Sequence, residues 1–378
     1  MERDASARRS VGLEGPVAVP QETRWPIDEH TKAKHAILRA YLAAWFPILG
    51  SRYPRVVYVD GFCGPGRYTG GELGSPLIAL EVATGFRDRL PAKVLFLFTD
   101  ERTDRIEHLR SELAGLSLPG TFSIDAEVGR FDQVFVPLLE DIEKSGSHLA
   151  PAFVFVDPFG FSGVPFAMVE RVLRHPHCEV FITFMVNAVQ RFVEHPYDQV
   201  RAEIESLFGT DEVRAAVAGS GDRSEALRGL YQRQLRSRAR FVRSFEVRDV
   251  PGRALYHLFF ASNHSLGHLK MKEAMWSADP SGGFRFVDDT DRTQLVLLDE
   301  DPIERLLGEL AKHFSGRDLL SDDVLTHVAD DTPFVHKHAR TALKRLEERK
   351  LIQVAATKVS GEKRKNGTFP EGTRISFR

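Results

Sequence analysis

The segment that most constrains the fold is 56–66, VVYVDGFCGPG, in which a short apolar run leads directly into a glycine-rich loop. The run VVYVD is rich in β-branched residues and nearly all apolar, which is typical of a strand covered on both faces. The segment 75–85, SPLIALEVATG, begins with a serine and a proline suited to a helix start and ends at a glycine suited to a helix end. Strand, glycine loop and helix in this order predict the first unit of an open α/β sheet, whose first loop lies at the ligand site.

The same alternation continues along the chain. Helical patterns occupy 28–46, 131–143 and 164–173, the segment RTDRIEHLRSEL is also helical, and a polar helical region spans about 196–240. The further apolar strands are VLFLFTD, TFSIDAE, FVFVDPFG, EVFITFM and YHLFFASN. Near-continuous apolar strands separated by helices predict an α/β fold with a doubly wound, mainly parallel, Rossmann-like sheet.

The last part of the chain has a different pattern. Helical patterns at 302–314, 319–328 and 334–350 precede the strands LIQVA and RISF, which flank a basic loop at 357–372. Three helices and a hairpin predict a C-terminal winged-helix-like domain with this loop as its wing. We therefore expect a flexible leader at 1–22, an α/β domain at 23–298 and the winged-helix-like domain at 299–378.

The composition indicates the compartment. Cys63 and Cys178 are the only cysteines in the sequence, too few for a disulfide framework or a zinc site made of cysteine pairs, so we expect a reducing, cytoplasmic environment. No apolar run approaches the roughly 20 residues needed to span a bilayer, and the N-terminal residues do not have the apolar stretch of a secretory signal. We expect no association with a membrane.

Charge is distributed unevenly. The formal net charge is −2, yet residues 335–378 hold twelve Lys and Arg against four Glu. The basic residues near the predicted wing tip are Lys358, Lys363, Arg364 and Lys365. Cations on a hairpin beside a recognition-type helix favour a nucleic acid as partner. Winged helices also dock proteins or pack on their own enzyme, and these alternatives stay open.

The glycine loop favours a nucleoside cofactor without a pyrophosphate. Its candidate cofactor contacts are Asp60, Gly61, Phe62, Gly64 and Gly66. The glycine spacing is not the GxGxxG of dinucleotide binding, and Pro65 removes a backbone N–H that a pyrophosphate would use. S-adenosylmethionine (SAM) fits this pattern better than NAD.

Acidic residues follow the next two predicted strands. The second strand ends at Asp100 and Glu101, either of which can accept hydrogen bonds from ribose hydroxyls. The stretch 125–129, beginning at Asp125, is expected on the adenine side. An acid that ends a strand is also a common turn or cap residue. In combination with the glycine loop, these acids favour an adenosine-containing cofactor.

The turn DPFG closes the fourth predicted strand at a position that borders the transferred methyl group in this topology. Asp157 is expected to orient the acceptor group or take its proton, and Pro158, Phe159 and Phe161 are expected to contact the substrate. The second proline that amino-methyltransferases of bases place here is missing, so hydroxyl methylation stays open. An Asp-Pro turn closing a buried strand is the structural alternative.

Several segments together resemble a known family. HTKAKH, YVDGFCGPGRY, GSPLIAL, FVFVDPFGF, EVFITFM and MKEAMW, from about residue 25 to the C-terminus, are similar to the bacterial three-Cys-motif partner proteins. The resemblance implies a class I SAM-dependent methyltransferase fold and association with a separate protein that carries three cysteines. Cys63 stands where alanine is usual in the family, and we assign no mechanism to this difference.

The family's motifs add polar candidates. His30, Lys34 and His35 lie on the first predicted helix, and we take His35 as a candidate catalytic residue. A solvated or capping role is the alternative, and because His30 and His35 are five residues apart, we expect no metal site. Lys272 is a further catalytic candidate, with salt bridging as its alternative. Asn187 and Arg191, four apart after the fifth strand, are candidate substrate contacts.

These features predict a SAM-dependent methyltransferase acting on a nucleic acid or nucleoside-type substrate by O- or N-methylation. The alternative is a non-catalytic or conditionally active partner or scaffold protein that works with a separate three-cysteine protein. An NAD-linked oxidoreductase is disfavoured by the glycine spacing and by Pro65.

Overall fold

The computed structural model describes residues 20–87, 90–248, 254–279, 285–287 and 301–378. Residues 1–19 of the predicted leader and the predicted domain boundary at 298–299 lie outside the described residues. Among the described residues, no helix combines the length and the apolar character needed to cross a membrane.

The larger part of the chain is built on an eight-stranded sheet with the order β3-β2-β1-β4-β5-β7-β6-β8. Its strands are β1 Arg55–Asp60, β2 Lys93–Asp100, β3 Phe122–Val128, β4 Ala152–Val156, β5 Glu179–Phe184, β6 Phe241–Arg248, β7 Ala254–Ser262 and β8 Arg285–Val287. Strands β1 to β5 pair in parallel, whereas β7 runs antiparallel to both β5 and β6. The predicted mainly parallel, Rossmann-like sheet is confirmed.

Ten helices accompany this sheet in the described residues. They are α1 Glu29–Gly50, α2 Ser75–Gly85, α3 Thr103–Ala114, α4 Phe131–Lys144, α5 Phe166–Arg174, α6 Val186–Phe192, α7 Asp198–Phe208, α8 Val213–Val217, α9 Arg223–Arg236 and α10 Ser265–Ala278. Helix α1 packs against α2 and α10, and α5 packs against α4 and α7. The central strands β1, β4 and β5 are buried almost throughout, as their apolar sequences predict.

Two sequence predictions about this part need correction. The polar region at 196–240 is three helices, because Gly209 adopts φ +66° and ends α7, and a second break precedes α9. Strand β6 was not predicted, since its polar residues interrupt the apolar run. It is nevertheless held in the sheet by its antiparallel pairing with β7.

The C-terminal part is a winged helix, as predicted. Its elements are α11 Pro302–His313, β9 Asp318–Leu320, α12 Ser321–Asp331, α13 His336–Glu348, β10 Ile352–Lys358 and β11 Thr373–Phe377. Residues 319 and 320 were predicted as the start of a helix, but they belong to the short strand β9, which pairs with β11 in a three-stranded sheet of order β10-β11-β9. The helix α12 begins one residue later.

The winged helix packs on α10. Leu269 and Trp276 of α10 belong to its hydrophobic core, and the indole Nε1 of Trp276 donates to the Pro333 carbonyl at 2.9 Å. The Lys272 side chain is fully buried, and its Nζ donates to the carbonyls of Val328, Ala329 and Thr332 at 2.7–2.9 Å. These carbonyls belong to the C-terminal end of α12 and the turn after it, so Lys272 joins the helix-turn-helix unit to α10.

Candidate functional site

A cleft opens at the carboxyl ends of β1, β4 and β5. It has a volume of about 880 Å³ including its open mouth. Its lining comes from the N-terminal segment, the start of α1, the glycine loop, the turn after β4, the end of β5 and β7. This is the sheet edge at which open α/β folds bind ligands.

Glycine is needed at the predicted loop positions for different structural reasons. Gly64 and Gly66 adopt φ +61° and +81°, which residues with a side chain rarely adopt. A Cβ on Gly64 would lie 3.5 Å from the ring of Trp25 in the cleft, whereas a Cβ on Gly61 would lie 2.6 Å from the ring of Phe131. Gly64 and Gly66 line the cleft together with Phe62, but Gly61 is required for packing under the loop.

The residues just before α1 cover the glycine loop. The carbonyl of Pro20 accepts hydrogen bonds from the guanidinium groups of Arg102 and Arg105. Trp25 lies with its ring 4.7 Å from the guanidinium carbon of Arg105, and its carbonyl accepts from the Thr69 N–H at 3.1 Å. The end of the predicted leader is therefore bound to the loop and α3, and Trp25 forms part of the cleft wall.

Asp60 ends β1 beneath the glycine loop and is fully buried. Its Oδ1 accepts from the Phe62 N–H at 3.3 Å. Burial raises the pKa of Asp60 to about 7, an effect that a hydrogen bond from Ser75 opposes and the charge of Asp157 reinforces. Asp60 does not line the cleft. Its carboxyl contacts the backbone of the loop on the side away from the cleft.

This raised pKa predicts a pH-dependent contribution to stability. The folded chain holds the Asp60 proton between about pH 4 and 7, where the unfolded chain releases it, so the contribution is present below about pH 4 and lost as the pH rises through 7. From about pH 5 to about pH 8, the free energy of unfolding should fall by about 2 kcal/mol more in the wild type than in Asp60→Asn. Urea unfolding of both proteins at the two pH values measures the difference. A difference that does not change with pH would contradict the assignment.

The predicted ribose and adenine residues lie apart from one another. Asp100 Oδ2 accepts from the Gly64 N–H at 3.2 Å and lies 3.6 Å from Arg105 Nη1, so this carboxylate holds the loop. Glu101 is exposed beside it, and partial desolvation of its carboxyl by the neighbouring protein raises its pKa. Asp125 lies within β3, paired with Leu97 three residues before the strand ends, so it does not reach the carboxyl edge of the sheet.

Asp157 lies in the cleft wall, directly after β4, as predicted. Its Oδ2 accepts from Lys34 Nζ at 2.5 Å, and the Lys34 side chain is only 7% exposed. Lys34 also lies 5.5 Å from the ring centroid of Tyr256. Sequence reasoning gave Lys34 no catalytic role, since its partner is 123 residues away in the sequence. The only signal was that HTKAKH presents it at the start of a helix.

The wall around this pair is aromatic and polar. His35 lies beside Tyr68, with ring centroids 5.8 Å apart, and both line the cleft. Burial and the Lys34 ammonium lower the pKa of His35 to about 3, so its imidazole is neutral at physiological pH. Thr183, on β5, was not predicted. Its Oγ1 is buried without a hydrogen-bond partner and lies in the cleft wall.

The other predicted substrate residues divide into two groups. Pro158 and Phe159 line the cleft, and Phe159 packs edge-on against Trp25 at 5.8 Å. Phe161 is buried in the core against Phe192, and neither Asn187 nor Arg191 of α6 lines the cleft. Packing in the hydrophobic core accounts for the aromatic residue at position 161, so no contact with substrate is needed to explain it.

Lys272 is not part of this site. The cleft wall does not include it, and the three carbonyls that it contacts belong to the winged helix. The catalytic role predicted from MKEAMW is therefore replaced by a structural one, because α10 faces the winged helix with this side chain. Among the described residues, no group of three or more His, Cys, Asp or Glu side chains is arranged to hold a metal ion.

The residues of the cleft fit an adenosylated cofactor without phosphates. The space over Gly64 is a cradle that a side chain would fill, and the Thr183 hydroxyl, which has no hydrogen-bond partner among the described residues, can bond a polar group of a ligand. No Lys or Arg lies in the glycine loop before Arg67, whose Nε donates to Glu112 at 2.9 Å. A pyrophosphate would have no cation from this loop.

Comparison with known proteins bears on the fold. Residues 283–358 match the family model of the GMT-like wHTH domain, in agreement with the winged helix. A comparison with curated proteins finds no match. The resemblance to three-Cys-motif partner proteins stays a prediction.

Two similar solved structures are an O-methyltransferase from Bacillus cereus in complex with SAH and Trm1 from Pyrococcus horikoshii with S-adenosyl-L-methionine. The first is 14% identical, with 59% of this chain and 80% of that chain covered and a TM-score of 0.33. The second is also 14% identical, with 68% of this chain and 61% of that chain covered and a TM-score of 0.33. Likenesses of this degree do not bear on the reaction, the cofactor or the substrate of the present chain.

Proposed function

We propose that this protein is a SAM-dependent methyltransferase that acts on a nucleic acid or nucleoside-type substrate. The observation that carries the proposal is the cleft that brings the glycine loop, Asp157 and the buried Lys34 together at the carboxyl edge of the sheet. A scaffold protein would not require both a glycine loop with positive φ angles and a largely buried ion pair in one cleft.

When bound, SAM supplies an electrophilic methyl group on a sulfonium, so the protein mainly has to position the acceptor and handle its proton. The backbone of Phe62, Gly64 and Gly66 would hold the cofactor, with Glu101 as the exposed carboxylate available to the ribose. Asp157 would receive the acceptor's proton on Oδ1, because Oδ2 is bonded to Lys34. Trp25 and Phe159 would exclude water from the cleft mouth.

The winged helix offers a surface for the phosphates of a nucleic acid. Lys337, Arg340 and Lys344 are exposed on α13 at positions i, i+3 and i+7, which share one helix face. This basic face lies on the helix that follows the turn, as a recognition helix does. Lys272 ties the preceding turn to α10, so the face has a fixed position on the larger domain.

The wing contributes less charge than its sequence indicated. Arg364 is paired with Glu347, with 3% of its side chain exposed, and Lys358 is paired with Glu362. Lys363 and Lys365 are exposed. The basic face of α13 is therefore the main candidate contact, with two wing lysines beside it. Association with a separate three-cysteine protein stays part of the proposal as a possible partner interaction.

The basic face gives a testable prediction. Lys337→Glu combined with Arg340→Glu should weaken binding of a labelled RNA hairpin and of a DNA duplex at least tenfold at about 0.1 M salt, because phosphate contacts are lost. The slope of log affinity against log salt should fall by about two. Fluorescence anisotropy measures both quantities, with Arg214→Glu on the exposed surface of α8 as the matched control. Equal affinities for all three proteins would remove nucleic acid from the proposal.

Methyl transfer itself is tested with SAM carrying a tritiated methyl group. The full chain is incubated with total RNA, with DNA and with mixed nucleosides, and incorporation is compared with a sample without protein. The proposal expects label in at least one of these acceptors. Absence of label in all three, with nucleic acid bound, would contradict methyl transfer to this class of substrate.

A further inference from the structure

We infer that the acceptor atom is a ribose hydroxyl oxygen, and that Lys34 is the residue that makes this oxygen reactive. The inference rests on the proposed function and adds the chemical class of the acceptor. Its basis is the contact of Lys34 Nζ with Asp157 Oδ2 at 2.5 Å, inside the cleft wall.

The cation beside Asp157 discriminates between acceptor atoms. Methylation of an amino nitrogen places positive charge on that nitrogen in the transition state, and an ammonium group close to it opposes this charge. Methylation of a hydroxyl needs the opposite: the oxygen becomes more negative as its proton leaves, and an adjacent ammonium stabilises it. A carboxylate acceptor would be repelled by Asp157.

The pair has the hydrogen-bonding capacity that this chemistry needs. An ammonium has three N–H donors, and among the described residues Lys34 uses one of them, toward Asp157. A second N–H is available for the acceptor oxygen, while Asp157 Oδ1 is available for the hydroxyl proton. His35 cannot add a second positive charge, because burial and the Lys34 charge hold its pKa near 3. The neighbouring side chains of Tyr68, Phe159 and Tyr256 in the cleft wall are aromatic. The cation in contact with Asp157 is Lys34.

Methyl transfer to the hydroxyl forms one bond and breaks another. The hydroxyl oxygen forms the new C–O bond to the methyl carbon while the C–S bond of the sulfonium breaks and its electron pair stays on sulfur. The hydroxyl proton passes to Asp157 Oδ1 and from there to water. The products are a methyl ether, S-adenosylhomocysteine and one proton. Inside an RNA chain the ribose 2′-hydroxyl is such a group, because the 3′ and 5′ oxygens are in phosphodiester bonds, and inside a DNA chain the sugar has no free hydroxyl.

The experiment locates the label within the product. The full chain is incubated with tritiated SAM and, in separate reactions, with total RNA, with DNA or with ribonucleosides. The RNA product is then hydrolysed with alkali, which cleaves next to a free 2′-hydroxyl and not next to a 2′-O-methyl group. We expect label in RNA as alkali-resistant dinucleotides, or on the sugar of ribonucleosides, and little in DNA, whose internal sugars have no free hydroxyl. The RNA and ribonucleoside arms distinguish a polymer from a free nucleoside as the source of the ribose.

Variants test Lys34 itself. Lys34→Met should lower transfer at least a hundredfold, with the Kd for S-adenosylhomocysteine within about threefold of wild type, and Lys34→Arg should recover part of the loss. Lys32→Met, on an exposed lysine of the same helix that contacts Glu29, should match wild type. Because Lys34→Met leaves Asp157 without its partner, thermal unfolding of this variant beside the wild type, together with its Kd for S-adenosylhomocysteine, checks that loss of transfer is not loss of folding.

Label on base nitrogens, equal label in DNA, or full transfer by Lys34→Met would overturn the inference and leave the methyltransferase proposal standing. Absence of label in every acceptor while SAM binds would overturn both. Absence of SAM binding would show that the failure lies in the proposed function.

Discussion

Asp157→Asn is expected to lower kcat for methyl transfer by roughly a hundred- to ten-thousand-fold, with little change in SAM affinity. Asparagine has the shape of aspartate and leaves an oxygen for Lys34 Nζ, so the surrounding contacts are kept. It cannot accept the proton of the acceptor group. The effect should therefore appear in kcat and not in cofactor binding.

Kinetic assays with saturating SAM, together with calorimetric measurement of the SAM Kd, separate the two effects. Asp211→Asn replaces an exposed aspartate outside the cleft and is the matched control, expected to keep wild-type rates. Full turnover by Asp157→Asn would mean that the proton goes elsewhere. In that case Asp157 would serve only as the ion-pair partner of Lys34.

Gly64→Arg is expected to abolish detectable SAM binding. At φ +61° any side chain is strained, and a Cβ here points toward Trp25 across the cleft. The arginine side chain would occupy the space over the loop. Isothermal titration of the variant, with thermal unfolding to establish that it remains folded, measures the result.

Gly120→Arg is the matched control for this change. Gly120 precedes β3, and a Cβ there meets nothing within 4 Å. It should bind SAM with wild-type affinity. If Gly64→Arg kept that affinity as well, the cofactor would have to lie away from the glycine loop.

The fold was predictable from local sequence because its strands are distinctive. The runs VVYVD, FVFVD and EVFITF are apolar on both faces and became the central strands β1, β4 and β5. The glycine loop and Asp157 were predictable for a related reason, since a residue that directly follows a parallel strand lies at the carboxyl edge of the sheet.

The remaining site residues depend on contacts distant in sequence. Lys34 reaches Asp157 only because α1 packs beside the glycine loop, and Thr183 lies within a strand whose sequence indicates nothing beyond burial. Lys272 was predicted to be catalytic because it is a polar residue in the motif MKEAMW. Its contacts depend on how the winged helix packs on α10, which local patterns do not encode.

The presence of a SAM site in this cleft is tested most directly by calorimetric titration of the wild-type protein with SAM and, separately, with S-adenosylhomocysteine. We expect saturable binding of both ligands at one site per chain, lost in Gly64→Arg. No binding of either ligand by the folded wild-type protein would contradict a SAM site in this cleft and would favour a scaffold protein that works with a separate partner.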